Sequence, residues 1–123
     1  GYCHRIICAQ NYSAVTAACM MVKKEAFDKV GGLSTDLAVA FNDIDFCLKV
    51  RDAGYLVVYN PYVELYHYES KSRGLEDTPE KRERFAREIA TLEGHWPEIF
   101  AKPDPYYNPN LTLKSQDFSL KRL

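Results

Sequence analysis

The sequence predicts a small α/β domain, and three observations carry that prediction. Stretches 42–54 and 78–94 have helical start and stop chemistry, β-branched and aromatic runs occupy 55–59 and 62–68, and an apolar run at 15–22 is short enough to be a strand. A chain of 123 residues with 46% hydrophobic content can bury one core, which disfavours a disordered tail and a disulfide miniprotein. The formal net charge of −1 provides no overall basic field, so nucleic acid is not an expected partner. No apolar run reaches the roughly 18–20 residues of a membrane span, so no transmembrane segment is expected, and Gly1 to Arg5 lacks the form of a secretory signal.

Taken in order, residues 10–13 (Gln-Asn-Tyr-Ser) read as a connection. Residues 15–22 are nearly all small or unbranched apolar side chains, a pattern that suits a buried strand or the entry to a helix, with the strand preferred. Residues 23–30 place Phe27 and Val30 on one helical face, and Gly31-Gly32 supplies the left-handed residue that stops a short helix there. Residues 33–41 have no period and contain Ser34, Thr35 and Asp36, so they form a loop able to cover a pocket.

The stretch 41–49 (Phe-Asn-Asp-Ile-Asp-Phe-Cys-Leu-Lys) opens the central helix, which Gly54 closes. Asn42 is placed to cap it, with Asp45 reaching back as in a capping box, and Asp43 in the first turn is left to point outward. Asp45 and Lys49 are spaced for an i, i+4 pair. A carboxylate held at the edge of a core is where a general base can work.

Beyond it, 55–59 reads as a strand interrupted by Asn60-Pro61, and 62–68 alternates so that Val63, Leu65 and His67 share one face of a second strand. Residues 69–74 hold two cations and two hydroxyls, a loop that can wrap an anion or simply be solvated. Thr78, Pro79 and Glu80 start another helix, with Phe85, Ile89 and Leu92 as its apolar stripe and Gly94 as its end. Pro97 begins a short turn through Phe100, and the prolines from 103 to 109 predict an extended surface tail over 102–123 whose start Trp96 anchors. Cys3, Cys8, Cys19 and Cys47 show no zinc or disulfide spacing; Cys19 and Cys47 read as buried free thiols and the compartment as reducing.

These motifs in this order carry a resemblance. Residues 18–22, Phe27-x-x-Val30-Gly31-Gly32-Leu33, 42–49, Gly54-Tyr55, Asn60-Pro61 and His67-x-x-Ser70-x-Ser72-Arg73 together resemble the C-terminal half of bacterial family 2 glycosyltransferases, over about residues 15–74. The resemblance implies a partial GT-A fold, a small mixed sheet with about three helices that lacks the N-terminal nucleotide-binding half. Residues 1–123 would then be the acceptor-side portion of an inverting, nucleotide-sugar-dependent enzyme of cell-surface glycan synthesis.

Residue by residue, the resemblance makes Asp43 the general base, and Asn42, standing where Glu is usual, an acceptor contact. His67 matches a ligand of the divalent metal (Mn²⁺ or Mg²⁺) on the nucleotide diphosphate, and Lys71 and Arg73 match the loop that closes over the diphosphate. Asp43-Ile44-Asp45 lies on the acceptor side and is not read as the metal motif. A nucleotide-diphosphate sugar and a glycan acceptor are the implied partners, in the cytoplasm or at the inner face of its membrane. The isolated chain is expected to be inactive and to hold no cofactor tightly. A competing reading is a self-associating interaction module, a homo-oligomer built on the aromatic tail and an unpaired sheet edge.

Overall fold

The computed structural model describes residues 4–68, 78–115 and 117–121. Its elements are β1 (Gln10–Asn11), a 3₁₀ turn (Ala17–Cys19), α1 (Lys24–Lys29), α2 (Asn42–Asp52), β2 (Val58–Tyr59), α3 (Pro79–His95) and α4 (Pro97–Phe100). Among the described residues it is a small α/β arrangement, with a two-stranded antiparallel ribbon in place of the expected mixed sheet and four helices in place of three.

α2 is the element that the others pack against. Asp45, Phe46, Cys47, Leu48 and Val50 are all buried, a complete turn and more, so the helix is enclosed on several sides rather than along one stripe. Phe46 meets Phe27 of α1 with ring centroids 5.5 Å apart. On the opposite side, Phe41 at the head of α2 meets Phe85 of α3 at 5.0 Å. Phe41 has φ 64, a left-handed conformation that costs a non-glycine residue about 1 kcal/mol and persists because the surrounding contacts hold it.

Three of the local stop and start signals act where the sequence places them. α1 ends at Val30 followed by Gly31 (φ 74) and Gly32 (φ 69), and α2 ends before Gly54 (φ 91). Thr78 caps α3 through its Oγ1, which accepts from the Lys81 N–H at 3.3 Å, and Pro79 takes the first helical position. Gly94 does not end α3, which continues to His95 because the helix ladder closes on Trp96, whose N–H donates to the Leu92 carbonyl.

The strand expectations are corrected more heavily. The ribbon pairs Gln10 with Tyr59 and Asn11 with Val58, so residues 10–11, read as a connection, form a strand, and 55–59 contributes only its last two residues. Residues 62–68 form no strand: among the described residues no neighbour closes a ladder on them, and Leu65 stays 72% exposed. Residues 15–22 fail for the same reason. Thr16 caps a 3₁₀ turn instead, Met20 is extended, and Met21 is 99% exposed. Cys19 is therefore exposed rather than buried, whereas Cys47 is buried as expected. Val15, Met20, Ala26, Phe46, Val50 and Val57 line an open apolar groove there.

The region after α4 is not an extended tail. Leu111 bridges Leu120, Tyr107 stacks near Phe118 at 6.1 Å, and Arg5 lies over Phe118. Ser13 donates to Asp104, and Arg51 of α2 lies over Tyr106, so the segment folds back onto the body through contacts that proline counting does not foresee.

Candidate functional site

Chemistry-bearing side chains gather at the mouth of α2. Asp43 is half-buried, and both its oxygens are oriented by backbone: Oδ1 accepts from the Ile44 N–H at 2.9 Å and Oδ2 from the Ala17 N–H at 3.1 Å. The 3₁₀ turn capped by Thr16 presents that second amide. A carboxylate has about four lone-pair sites, so two remain for an incoming donor. Asn42 does not cap the helix; its Nδ2 donates to the Leu37 carbonyl at 2.6 Å, while its Oδ1 is shielded from solvent.

Asp45 takes a role other than capping. Its side chain is 0% exposed, and it is the hub of a polar cluster that sequence reasoning missed. Oδ1 accepts from Trp96 Nε1 at 2.9 Å and faces His95 Nδ1 at 3.0 Å; Oδ2 accepts from Ser34 Oγ and faces Lys49 Nζ at 3.1 Å. The expected Asp45–Lys49 pair thus exists, but as one spoke of four. Burial pushes the Asp45 carboxyl up, and the hydrogen bonds from Ser34, His95, Trp96 and Lys49 outweigh it, holding the group at about 2. His95 is raised above its ordinary value, chiefly by its bond to Asp45 and also by Asp36, against a smaller opposing cost of burial. Burial likewise raises the Cys47 thiol, whose Sγ lies 3.7 Å from the Val15 carbonyl.

A second buried carboxylate, Glu88, sits on α3 beside the apolar stripe of Phe85, Ile89 and Leu92. Its two oxygens accept from the Val39 and Ala40 N–H groups at 3.2 and 2.7 Å. Loop 33–41 is therefore fastened along its length: Ser34 to Asp45, Asp36 to His95, Leu37 to Asn42, and Val39 with Ala40 to Glu88. A sequence signal for this existed. Glu88, Leu92 and His95 stand at i, i+4 and i+7, one face of α3.

His67 lies exposed on the irregular segment after β2. Among the described residues no three His, Cys, Asp or Glu side chains are grouped to hold a metal, and His67 by itself offers one ligand. Lys71 and Arg73 lie outside the described residues. Among the described residues no helix is long and apolar enough to cross a membrane.

No protein-family model matches the chain, and no solved structure matches it. Several curated proteins do. The chain is 59% identical, over 98% of its length, to a protein of Sinorhizobium fredii named "Uncharacterized protein y4gI", of which it spans 13%. It is 34% identical, over 92% of its length, to the O-antigen biosynthesis protein RfbC of Myxococcus xanthus, of which it spans 8%. Over 49% of its length it is 32% identical to the N-acetylglucosaminyl-diphospho-decaprenol L-rhamnosyltransferase of Mycobacterium tuberculosis, of which it spans 20%. The chain thus spans a fifth or less of these relatives, one of which is named as a glycosyltransferase.

Proposed function

We propose that this chain is the acceptor-side part of an inverting, nucleotide-sugar-dependent glycosyltransferase of family 2 and GT-A fold, acting in glycan synthesis, with Asp43 as its general base. The observation that carries the reading is the Asp43 carboxylate, held at the mouth of α2 by two backbone amides with lone pairs to spare. An acceptor hydroxyl gives its proton to Asp43 as its oxygen attacks the anomeric carbon. The nucleotide diphosphate leaves from the opposite face, so the configuration inverts. Asn42, next to the base, contacts the acceptor once its amide exchanges Leu37 for the sugar.

Lys71 and Arg73 neutralise the departing diphosphate, and His67 contributes one ligand to a divalent metal (Mn²⁺ or Mg²⁺) whose other ligands come from elsewhere. A metal supplies charge neutralisation at the diphosphate when bound; none of the proton transfer at Asp43 depends on it. Donor binding and transfer then require sequence beyond these residues, and the isolated chain is inactive.

The test is Asp43→Asn in the transferase that carries this segment. Loss of a general base lowers kcat by about 10²- to 10⁴-fold, while the fold persists at reduced stability, because the carboxamide leaves one of the two backbone amides without its acceptor. A variant retaining most of its activity removes Asp43 from the mechanism. A second reading, self-association, is favoured by the exposed apolar side chains Tyr62, Leu65 and Tyr66, and light scattering of the purified chain decides it.

A further inference from the structure

His95 is an unusual side chain in this cluster because both its ring nitrogens face carboxylates. Nδ1 lies 3.0 Å from Asp45 Oδ1, and Nε2 lies 3.0 Å from Asp36 Oδ2. A neutral imidazole has one N–H and one lone pair, so with both carboxylates ionised one of the two contacts would set lone pair against lone pair. Only the doubly protonated ring donates to both. The two ends also differ in their surroundings. Asp45 is sealed in the interior, whereas Asp36 is 54% exposed and His95 34%.

We propose that His95 is a proton-operated clasp that fastens loop 33–41 to the end of α3, closed when the ring is charged and open at its Asp36 side when it is neutral. On deprotonation the remaining N–H stays with Asp45, because a buried carboxylate stripped of its donor costs more than an exposed one that can turn to water. Nε2 then presents a lone pair to Asp36, which leaves.

The charged groups that face the ring are Asp45 from α2 and Asp36 from the loop; Lys49 of α2 shares the Asp45 carboxylate with it. The raised His95 pKa fits a ring held charged by its two carboxylates. Because the loop runs directly into Phe41, Asn42 and Asp43, opening the clasp loosens the approach to the mouth of α2. That last consequence rests on the role given to Asp43 above; the clasp itself does not, and its test has no transferase readout.

The experiment is NMR titration of the His95 ring on the purified chain, with amide hydrogen exchange of Val39 and Ala40 across the same pH range. These amides are protected by Glu88 within the same loop, and the Leu48 amide in the α2 core serves as the reference for global opening. After correction for intrinsic exchange, protection of Val39 and Ala40 falls at least about tenfold as pH rises, with the midpoint of the His95 titration and Leu48 unchanged. Asp36→Asn, an exposed substitution that leaves the core intact, abolishes the step. His95→Gln keeps the loop exchanging fast at every pH. The clasp is overturned if His95 titrates without altering Val39 and Ala40, or if Asp36→Asn retains the step. If His95→Gln does not fold, the Asp36 variant decides alone.

Discussion

Asp45→Asn is the substitution that most directly challenges the account of the α2–α3 junction. The carboxamide is nearly the same size, so no cavity opens, but it exchanges one acceptor oxygen for an NH₂ donor and removes the charge. With its oxygen turned to Trp96 and His95, the new NH₂ faces Ser34 and Lys49; the hydroxyl can rotate to accept, while the ammonium cannot. Turned the other way, NH₂ faces the Trp96 indole N–H. Neither arrangement satisfies all four neighbours.

Breaking a fully buried ion pair from one side costs about 3–5 kcal/mol. Here the cationic partners, Lys49 at 24% and His95 at 34% exposure, keep part of their hydration, so about 3 kcal/mol is expected, a large part of a small domain's stability. With a urea dependence of about 1.5 kcal/mol per molar, the unfolding midpoint drops by about 2 M. The assay is urea unfolding followed by tryptophan emission, which is site-specific because Trp96 is the one tryptophan in the chain and donates directly to Asp45. A midpoint shift below about 0.5 M (under about 1 kcal/mol) with native emission unchanged would refute the reasoning.

Stability should also depend on pH from both sides. The Asp45 pKa is depressed from 3.8 to about 2, so its contribution is complete above the unfolded value and is lost as pH falls through that interval, a term of about 2 kcal/mol. His95 is raised above 6.5, so its contribution is complete below 6.5 and disappears as pH rises through the folded pKa; His95→Gln should remove this alkaline limb and leave the acid one, as read from urea midpoints across pH. Gly32→Ala should cost about 2 kcal/mol, because φ is +69 and a Cβ would stand 2.9 Å from Phe27 Cζ. Gly31→Ala, at φ +74 with open space, should cost about 1 kcal/mol, a contrast that thermal unfolding of the pair resolves.

Short-range chemistry was readable from the order of residues alone. Gly31 after Val30, Gly54 after Ala53, and Thr78 before Pro79 each fixed a helix end, because capping involves atoms within four residues of one another. The Asp45–Lys49 spacing was legible for the same reason. The name of one relative, a rhamnosyltransferase, agrees with the glycosyltransferase resemblance that the motifs carry.

Tertiary structure decided whatever depends on a distant partner. Nothing near Asp45 in the chain announces that His95 and Trp96, fifty residues on, supply its donors, or that Glu88 holds the backbone of loop 33–41. Alternation at 62–68 and apolarity at 15–22 describe side chains, yet a strand exists only where another backbone completes its hydrogen bonds. Gln10–Asn11, with no apolar pattern, became a strand because Val58–Tyr59 lay beside it. A sequence therefore states which backbone ends are satisfied locally, and only the folded chain shows which buried charges and strand edges find one another across it.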